Sequence, residues 1–401
     1  MVTRQIGESF PLKYLVLYRD YKRYADAGKE ALSARQALFD TLTCQATSRD
    51  TIIGCPVIGE TSHACNWQLA GYHRETNPRL AKRKNLVFIP YAATTANATP
   101  RSVERILFSA HEDLAVDWTC TPMLQELVAK AIGVEATAVA TTQNDKRYSE
   151  DYGEILFSNL GRHYLLDSMF GPIPPDECLL PYAKQEIVNH AHQNFLLTLW
   201  GYGGHWSYPD RYPEKHAVFK PCNAQYWGHS VDPHDKRIQA LRNAFDNTIY
   251  HTDYVLNSVI SILEHCGKSS FLVYVADHGE NIYNTEDMLF LHASYLGTHQ
   301  ENHVSLLFWF SDGYIKKHRK EVDYIKEHQR IPVMSIDVYH TILQLFELQT
   351  PWFDSTQSLA SGAYCEHKNQ QMYNGAHQIQ PAPPFPQEER MSIDSILAAS
   401  R

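Results

Sequence analysis

Three features that define other protein classes are missing from this sequence of 401 residues. The longest apolar runs, such as Phe195–Trp200 and Val304–Phe310, are much shorter than the roughly 20 residues of a membrane-spanning helix. The first residues contain no apolar segment of the kind found in a signal peptide. Lysine and arginine form no basic stripe, and 36 basic against 45 acidic residues give a formal net charge of −9. We therefore expect no transmembrane segment, no signal peptide and no nucleic-acid partner.

Cysteine spacing excludes one kind of metal site. The eight cysteines are scattered without a Cys-x-x-Cys pair, which rules out a zinc knuckle and leaves any disulfide pairing open. The 21 histidines permit metal chemistry elsewhere without proving it. With 44% hydrophobic residues the composition is globular, and the length suits one large domain or two ordinary ones.

One predicted strand ends directly in residues suited to a metal. The apolar run Phe271–Val275 predicts a buried strand, and Asp277-His-Gly-Glu280 follows it. In open α/β sheets ligands gather outside the carboxyl ends of strands, and oxygen and nitrogen ligands suit Zn²⁺. Gly279 would let the backbone turn close to the metal. The alternative is a surface turn with solvated charges, and this motif alone does not decide between the two.

The remaining pattern alternates strands with helices, which predicts an α/β/α sandwich with a central, mostly parallel sheet flanked by helices. The domain lies within residues 51–368, after a polar helical lead-in over residues 1–50 and before an extended, loosely held tail over residues 369–401. Further strands are predicted at residues 51–58, 86–89, 195–200 and 304–310, and helices from about residue 100, over residues 236–264 and over residues 333–348.

Other strand ends and helix starts carry residues capable of chemistry, and each has a plainer explanation. Glu60 could be an acid favoured by a helix dipole, and Thr99 could be only an N-cap. His205 could be an ordinary loop histidine, and His292 could be packed against its apolar neighbours. No single one is specific. Their position on successive strand ends of one sheet is what favours a shared site together with Asp277 and His278.

Several separated motifs between about residues 52 and 312 resemble the phosphoethanolamine transferases of the sulfatase and alkaline phosphatase superfamily, the lipid-A-modifying enzymes that include the mobile colistin-resistance proteins. The resemblance is weak across residues 112–185. The matching segments occur in the family's order: Gly59–Asn66, Gly71–Leu80, Thr99–Ser102, Gly203–Pro213, Asn243–Asn247, Asp277–Glu280 and Phe290–Ser294.

The resemblance implies a zinc-dependent transferase with one tightly bound Zn²⁺ and room for a second. Its metal ligands would be Glu60, Thr99, Asp277 and His278. His205 and His292 would contact the transferred phosphoryl group or a second metal. Thr99 would take phosphoethanolamine from phosphatidylethanolamine and pass it to lipid A or another glycan acceptor. The implied location is the periplasmic face of an inner-membrane protein, whose membrane part would be missing from this sequence.

The sequence departs from the family pattern at three places. The family's transmembrane helices are absent, and no cysteine lies between Cys65 and Cys120 to form the disulfide that flanks the nucleophile in many relatives. Pro100 and Arg101 adjoin the threonine, and Ser305 stands where relatives favour proline. The alternatives are a phosphatase, phosphodiesterase or sulfatase of the same superfamily, or a non-catalytic protein with this fold. Sulfatases mature a cysteine or serine to formylglycine, which is impossible for Thr99.

Overall fold

The computed structural model describes residues 33–399 apart from residues 49, 111–115, 118, 142–160, 167–172, 224–231 and 233. Most of the lead-in expected over residues 1–50 lies outside the described residues, and within it residues 33–41 form a helix. No helix in the described ranges has the length and apolar character needed to cross a bilayer. All eight cysteines are described, and none of them forms a disulfide bond.

A seven-stranded sheet forms the centre of the molecule. Its strands, in chain order, are β1 (Ile52–Gly59), β2 (Leu86–Ile89), β3 (Thr137–Ala140), β4 (Arg162–Leu165), β5 (Phe195–Trp200), β6 (Ser269–Ala276) and β7 (Leu306–Phe310). Their spatial order is β2-β7-β6-β1-β5-β3-β4. β1 pairs in parallel with both β5 and β6, whereas β7 runs antiparallel to both of its neighbours. The predicted mostly parallel sheet is confirmed.

Helices cover both faces of this sheet. From residue 99 onward, the helices of the described residues are α1 (Thr99–Leu107), α2 (Leu124–Ile132), α3 (Leu179–Asn189), α4 (Lys236–Cys266), α5 (His299–Asn302), α6 (Asp312–Lys317), α7 (Arg319–His328), α8 (Asp337–Leu345) and α9 (Gln387–Ala399). Successive side chains of β6 point to opposite faces. Phe271 and Val273 pack in the core shared with α1, α2 and α8, whereas Leu272 and Tyr274 pack in the core shared with α3 and α4. This alternation produces the predicted α/β/α sandwich.

Short elements complete the fold. The two-stranded pairings join Gln45–Ala46 with Leu348–Gln349, Ala92–Ala93 with Val333–Met334, Asn281–Ile282 with Phe290–Leu291, and Gln371–Tyr373 with Ile379–Pro381. Single 3₁₀ turns occur at Ala64–Asn66, Gln68–Ala70, Leu80–Lys82, Asp176–Cys178, Tyr208–Arg211, Glu214–His216 and Ser355–Gln357.

Two segments differ from the sequence prediction. The helix expected over residues 333–348 begins only at Asp337, whose carboxylate accepts a hydrogen bond from Met334 N at 2.9 Å, and Met334 itself belongs to a strand. The tail expected to be extended contains a hairpin and helix α9, because Ile393 packs with Tyr91 and Phe385 in a small separate core. The domain boundary at residue 369 stays a prediction.

Candidate active site

The strand register places the candidate residues side by side. Gly59, the last residue of β1, pairs with Ala276, the last residue of β6, so the two parallel strands end level. Glu60 and Asp277 therefore leave the sheet next to each other. Helix α1 is held against the same loop because Ser102 Oγ and Thr94 Oγ1 both donate to the carbonyl oxygen of Asp277. This arrangement brings Thr99, at the start of α1, into the site.

The structure brings together the four predicted metal ligands. Thr99 Oγ1 lies 3.1 Å from Glu60 Oε2 and 3.1 Å from His278 Nε2. His278 Nε2 lies 3.4 Å from Glu60 Oε1 and 3.5 Å from Asp277 Oδ2. One ligand atom from each of Glu60, Asp277 and His278 falls within 4.8 Å of the others. Glu60, Asp277 and His278 are buried and Thr99 is partly exposed, so the threonine is the member of this group that solvent reaches.

Backbone contacts fix how these side chains present their ligand atoms. Asp277 Oδ1 accepts from Thr61 N at 2.9 Å and from His278 N at 2.7 Å. Asp277 Oδ2 is buried and accepts no hydrogen bond from the described residues. The Nδ1 atom of His278 donates to Gly279 O at 2.9 Å, which directs the Nε2 atom at the carboxylates. A buried carboxylate oxygen without a donor is costly, so this donor set fits a divalent cation.

The charges of the site act on one another strongly because water is excluded. Burial and the neighbouring charge of Glu60 raise the pKa of Asp277 to about 7. Burial also disfavours the carboxylate of Glu60, but its interactions with His278 lower its pKa below the usual range. Burial opposes the protonated form of His278, yet the charges of Asp277 and Glu60 raise its pKa to about 10. The two acids therefore hold a positive partner, either a proton or a metal ion.

The two further predicted histidines lie beside this group. The ring of His292 is 4.1 Å from that of His278 and 5.9 Å from that of His205, centre to centre. His205 stacks on Tyr202, and burial lowers its pKa. One ligand atom from each of Glu60, His205 and His292 falls within 4.8 Å of the others, so these three residues could hold a second cation or the oxygens of a phosphoryl group.

Comparison with known proteins identifies the family of this chain. A family model described as Sulfatase matches residues 56–348. The chain belongs to the sulfatase family. The matched range contains every predicted site residue.

Relatives of this sulfatase-family chain include phosphoethanolamine transferases, as the motifs indicate. Phosphoethanolamine transferase EptA of Escherichia coli K12 is 29% identical over 316 residues, which are 76% of this chain and 54% of that protein. The chain thus spans about half the length of the curated relatives it matches.

Two solved structures have the same fold. The C-terminal periplasmic domain of EcEptC from Escherichia coli, in complex with Zn, has a TM-score of 0.74 at 20% identity and covers 88% of this chain and 98% of its own. The integral membrane protein lipooligosaccharide phosphoethanolamine transferase A of Neisseria meningitidis has a TM-score of 0.67 at 23% identity. The match covers 79% of this chain and 59% of that protein. At these identities the likeness establishes the alkaline phosphatase-like fold, which confirms the predicted class.

Glu280 is a residue of this sulfatase-family site to which sequence analysis gave no role. Its side chain is fully buried. Oε1 accepts from His292 Nδ1 at 3.2 Å, and Oε2 accepts from Tyr208 OH at 3.1 Å. Because one ring nitrogen is held in this way, the other is directed into the site. Its position two residues after His278, at the strand end, was the available signal.

Replacing Glu280 with glutamine should reduce turnover by about 10- to 100-fold with little change in metal content, because His292 loses its anionic partner. Steady-state rates together with metal analysis would show this. Tyr208→Phe is the matched control, since it removes only the other hydrogen bond to Glu280. If Glu280→Gln and Tyr208→Phe have equal, small effects, Glu280 serves packing rather than the orientation of His292.

Asp176 is a second residue whose importance the sequence did not reveal. It lies beneath the turn that follows β5 and accepts hydrogen bonds from Tyr202 N at 2.8 Å, Gly203 N at 3.0 Å and Thr141 Oγ1 at 2.9 Å. Gly203 has a φ of 23°, and a Cβ there would lie 2.7 Å from Glu60 O. The turn therefore needs glycine, and it carries His205 next to the Glu60 loop.

A buried network ties the Glu60 loop to helix α4. Asp246 on α4 is fully buried and accepts from Asn66 Nδ2 at 2.8 Å, Tyr72 OH at 2.9 Å and Arg74 Nη1 at 2.7 Å. These residues belong to three of the segments that resemble the transferases. Their hydrogen bonds to Asp246 hold the segment that follows Glu60 against helix α4.

Asp246→Ala should lower the free energy of unfolding by about 3–5 kcal/mol, because three buried or half-buried donors lose their acceptor. Urea unfolding would measure the change. Asp323→Ala is the matched control: its ion pair with Arg319 has both side chains well exposed, and its loss should cost less than about 1 kcal/mol. Equal losses in the two variants would mean that the buried network does not stabilise the fold.

Proposed function

We propose that this chain is the catalytic domain of a zinc-dependent phosphoethanolamine transferase. It moves phosphoethanolamine from phosphatidylethanolamine to lipid A or another glycan acceptor through a phospho-threonine at Thr99. The observation that carries the proposal is the position of the Thr99 hydroxyl. It lies at the N-terminus of α1, within hydrogen-bond distance of both Glu60 and His278.

The residues that would hold the zinc ion are Glu60, Thr99, Asp277 and His278, and Glu60, His205 and His292 are suited to a second ion. The unsatisfied Asp277 Oδ2 and the oriented Nε2 of His278 support this assignment. A bound zinc ion would supply the Lewis acidity that a threonine hydroxyl needs to act as a nucleophile near neutral pH. The related EcEptC domain was solved in complex with Zn.

In the first half-reaction, Thr99 takes the phosphoethanolamine group from the donor lipid. Thr99 Oγ1 attacks the phosphorus of phosphatidylethanolamine, the bond from phosphorus to the glycerol oxygen breaks, and diacylglycerol leaves after taking up a proton. The hydroxyl proton of Thr99 is directed at the Glu60 carboxylate. The backbone N–H groups of Thr99 and Arg101, in the first turn of α1, favour negative charge on the phosphoryl oxygens, whereas Pro100 between them has no N–H to offer.

The second half-reaction reverses these roles. A hydroxyl or phosphate oxygen of the acceptor attacks the phosphorus, the bond to Thr99 Oγ1 breaks, and the threonine hydroxyl is restored. His205 and His292 are close enough to one another and to Glu60 to contact the phosphoryl oxygens as charge develops. Glu280 keeps His292 in place for both halves.

Phosphatidylethanolamine and lipid A are both membrane lipids, so the proposed reaction takes place at a membrane surface. The chain matches 59% of an integral membrane lipooligosaccharide phosphoethanolamine transferase from Neisseria meningitidis and 98% of a periplasmic EcEptC domain. We propose that this chain corresponds to the periplasmic domain of such an inner-membrane protein and meets both lipids at the membrane surface.

The test is the fate of the phosphoethanolamine group. The zinc-loaded protein is mixed with phosphatidylethanolamine labelled in the head group, with and without lipooligosaccharide in mixed micelles. We expect label on the acceptor in an amount equal to the diacylglycerol released. Release of free phosphoethanolamine at the same rate with and without acceptor would assign the protein to the phosphodiesterases. No release of diacylglycerol, in the presence of zinc, would contradict both activities.

A further inference from the structure

A second group of metal-type ligands lies outside the candidate active site. His63, Cys65, His299 and His303, called here the His63 cluster, bring one ligand atom each within 4.8 Å of one another. The three imidazole rings converge, with centres 5.1–6.0 Å apart. His63 and His303 are buried, and Cys65 and His299 are half-buried. Imidazole nitrogen and cysteine thiolate are both ligand types that zinc takes in proteins, and four of them suffice for a tetrahedral ion.

The orientation of His303 is that of a metal ligand. Its Nε2 atom donates to Pro90 O at 2.8 Å, which fixes the tautomer and leaves a lone pair on Nδ1. That Nδ1 atom lies 3.5 Å from Cys65 Sγ. Zn–S and Zn–N bonds of about 2.3 and 2.0–2.1 Å place sulfur and nitrogen about 3.6 Å apart on a tetrahedral ion. The observed separation therefore already matches one edge of a tetrahedral site.

Local backbone structure assembles the cluster from two distant parts of the chain. His299 and His303 are four residues apart across α5, with His303 N bonded to His299 O at 2.8 Å, so their side chains share one face. Residue 63 forms an isolated antiparallel bridge with Val304, and Ala64 N donates to His303 O at 3.3 Å. These contacts place His63 and Cys65 opposite His299 and His303.

We propose that the His63 cluster binds a structural zinc ion. Four protein ligands complete a tetrahedral coordination sphere and leave no position for water or substrate, unlike a catalytic site. Phe385 covers the cluster, with its ring 4.8 Å from that of His303 and 5.6 Å from that of His299. This apolar cover limits the access of solvent to the ligands.

The ion would brace the loops of the candidate active site. Glu301, between His299 and His303, accepts a hydrogen bond at its backbone oxygen from Gly279 N, at 2.8 Å. A Cβ on Gly279 would lie only 2.0 Å from Gln300 O, so this contact is tight. His63 follows Glu60 by three residues, and Ser62 N donates to His278 O at 2.8 Å. Clamping His63 to the turn would therefore fix the two loops that carry Glu60 and His278.

Cobalt substitution tests the cluster directly, since Glu60, Thr99, Asp277 and His278 contain no sulfur. The apo-protein is titrated under reducing conditions with Co²⁺, and a sulfur-to-cobalt charge-transfer band in the near ultraviolet is expected to saturate at one ion per chain. The band should vanish in Cys65→Ser and persist in Cys120→Ser, an exposed cysteine that serves as the matched control. No band at saturating Co²⁺, or a band unaffected by Cys65→Ser, would overturn the proposal and leave a thiol–imidazole hydrogen bond only.

Zinc content gives a second readout that separates this inference from the proposed transfer reaction. Asp277→Asn should lose zinc from the candidate active site and keep the cobalt charge-transfer band. His299→Ala should lose one equivalent of zinc, and its thermal transition should no longer rise on addition of zinc to the extent seen in the unaltered protein. Unchanged zinc content in folded His299→Ala would contradict a site at the His63 cluster, whatever the transferase activity.

Discussion

Thr99→Ala is expected to lower the rate of phosphoethanolamine transfer by at least about a thousand-fold, because the proposed nucleophile is removed. Three ligands, Glu60, Asp277 and His278, stay in place, so zinc content should change little. The side chain is partly exposed at the first turn of α1, and the fold should be unaffected. Initial rates of head-group transfer, with metal analysis of the same samples, would measure the separation of the two effects.

Thr99→Ser is the matched control, because it keeps a hydroxyl at the same place. It should retain substantial activity and accept the phosphoryl group itself. Ser102 is not expected to replace Thr99 as the nucleophile, since its hydroxyl donates to the backbone oxygen of Asp277 rather than to the carboxylates. If Thr99→Ala kept more than about a tenth of the transfer rate, neither the phospho-threonine nor the two-step reaction could stand.

Asp277→Asn should reduce zinc affinity by more than about 100-fold and abolish transfer. Even partners outside the coordination sphere cost 10- to 100-fold when altered, and Asp277 is a proposed ligand. The amide oxygen can still accept from Thr61 N and His278 N, so the loop keeps its hydrogen bonds and the charge is what changes. Competition with a chelator would measure the affinity of the purified variant.

Asp323→Asn, on an exposed ion pair, controls for the general effect of losing one acidic charge. It should bind zinc as the unaltered protein does. Because the His63 cluster would retain its own ion, the expected result for Asp277→Asn is partial rather than complete loss of zinc. Undiminished affinity and activity in Asp277→Asn would remove Asp277 from the metal site.

The parts of the site that the sequence predicted are those set by strand ends. β1 and β6 are apolar runs that stop at an acid, and parallel strands end at the same edge of a sheet, so Glu60 and Asp277 lie side by side once these two strands are neighbours. Thr99 follows from Pro100, which marks the first turn of α1. The strands over residues 86–89 and 195–200 have the bounds that were predicted.

What the sequence did not predict depends on tertiary contacts between distant residues. His292 reaches Glu280 only because the intervening chain folds back as the pair Asn281–Ile282 and Phe290–Leu291. In the sequence Asp176 looks like an ordinary acidic loop residue. Only the structure shows that the turn after β5 donates hydrogen bonds to it. The His63 cluster joins residues more than 230 positions apart, as the Cys65–His303 contact shows, and the spacing of His299 and His303 alone does not indicate which distant residues complete the group. The types of residue along the sequence were therefore not sufficient to predict these contacts.

Transfer through Thr99 is tested by the intact mass of the zinc-loaded protein after brief incubation with phosphatidylethanolamine in the absence of acceptor. We expect an added phosphoethanolamine group that maps to Thr99, disappears on addition of lipooligosaccharide, and is absent from Thr99→Ala. Diacylglycerol release with no adduct on rapid quenching, or an adduct on another residue, would contradict transfer through Thr99.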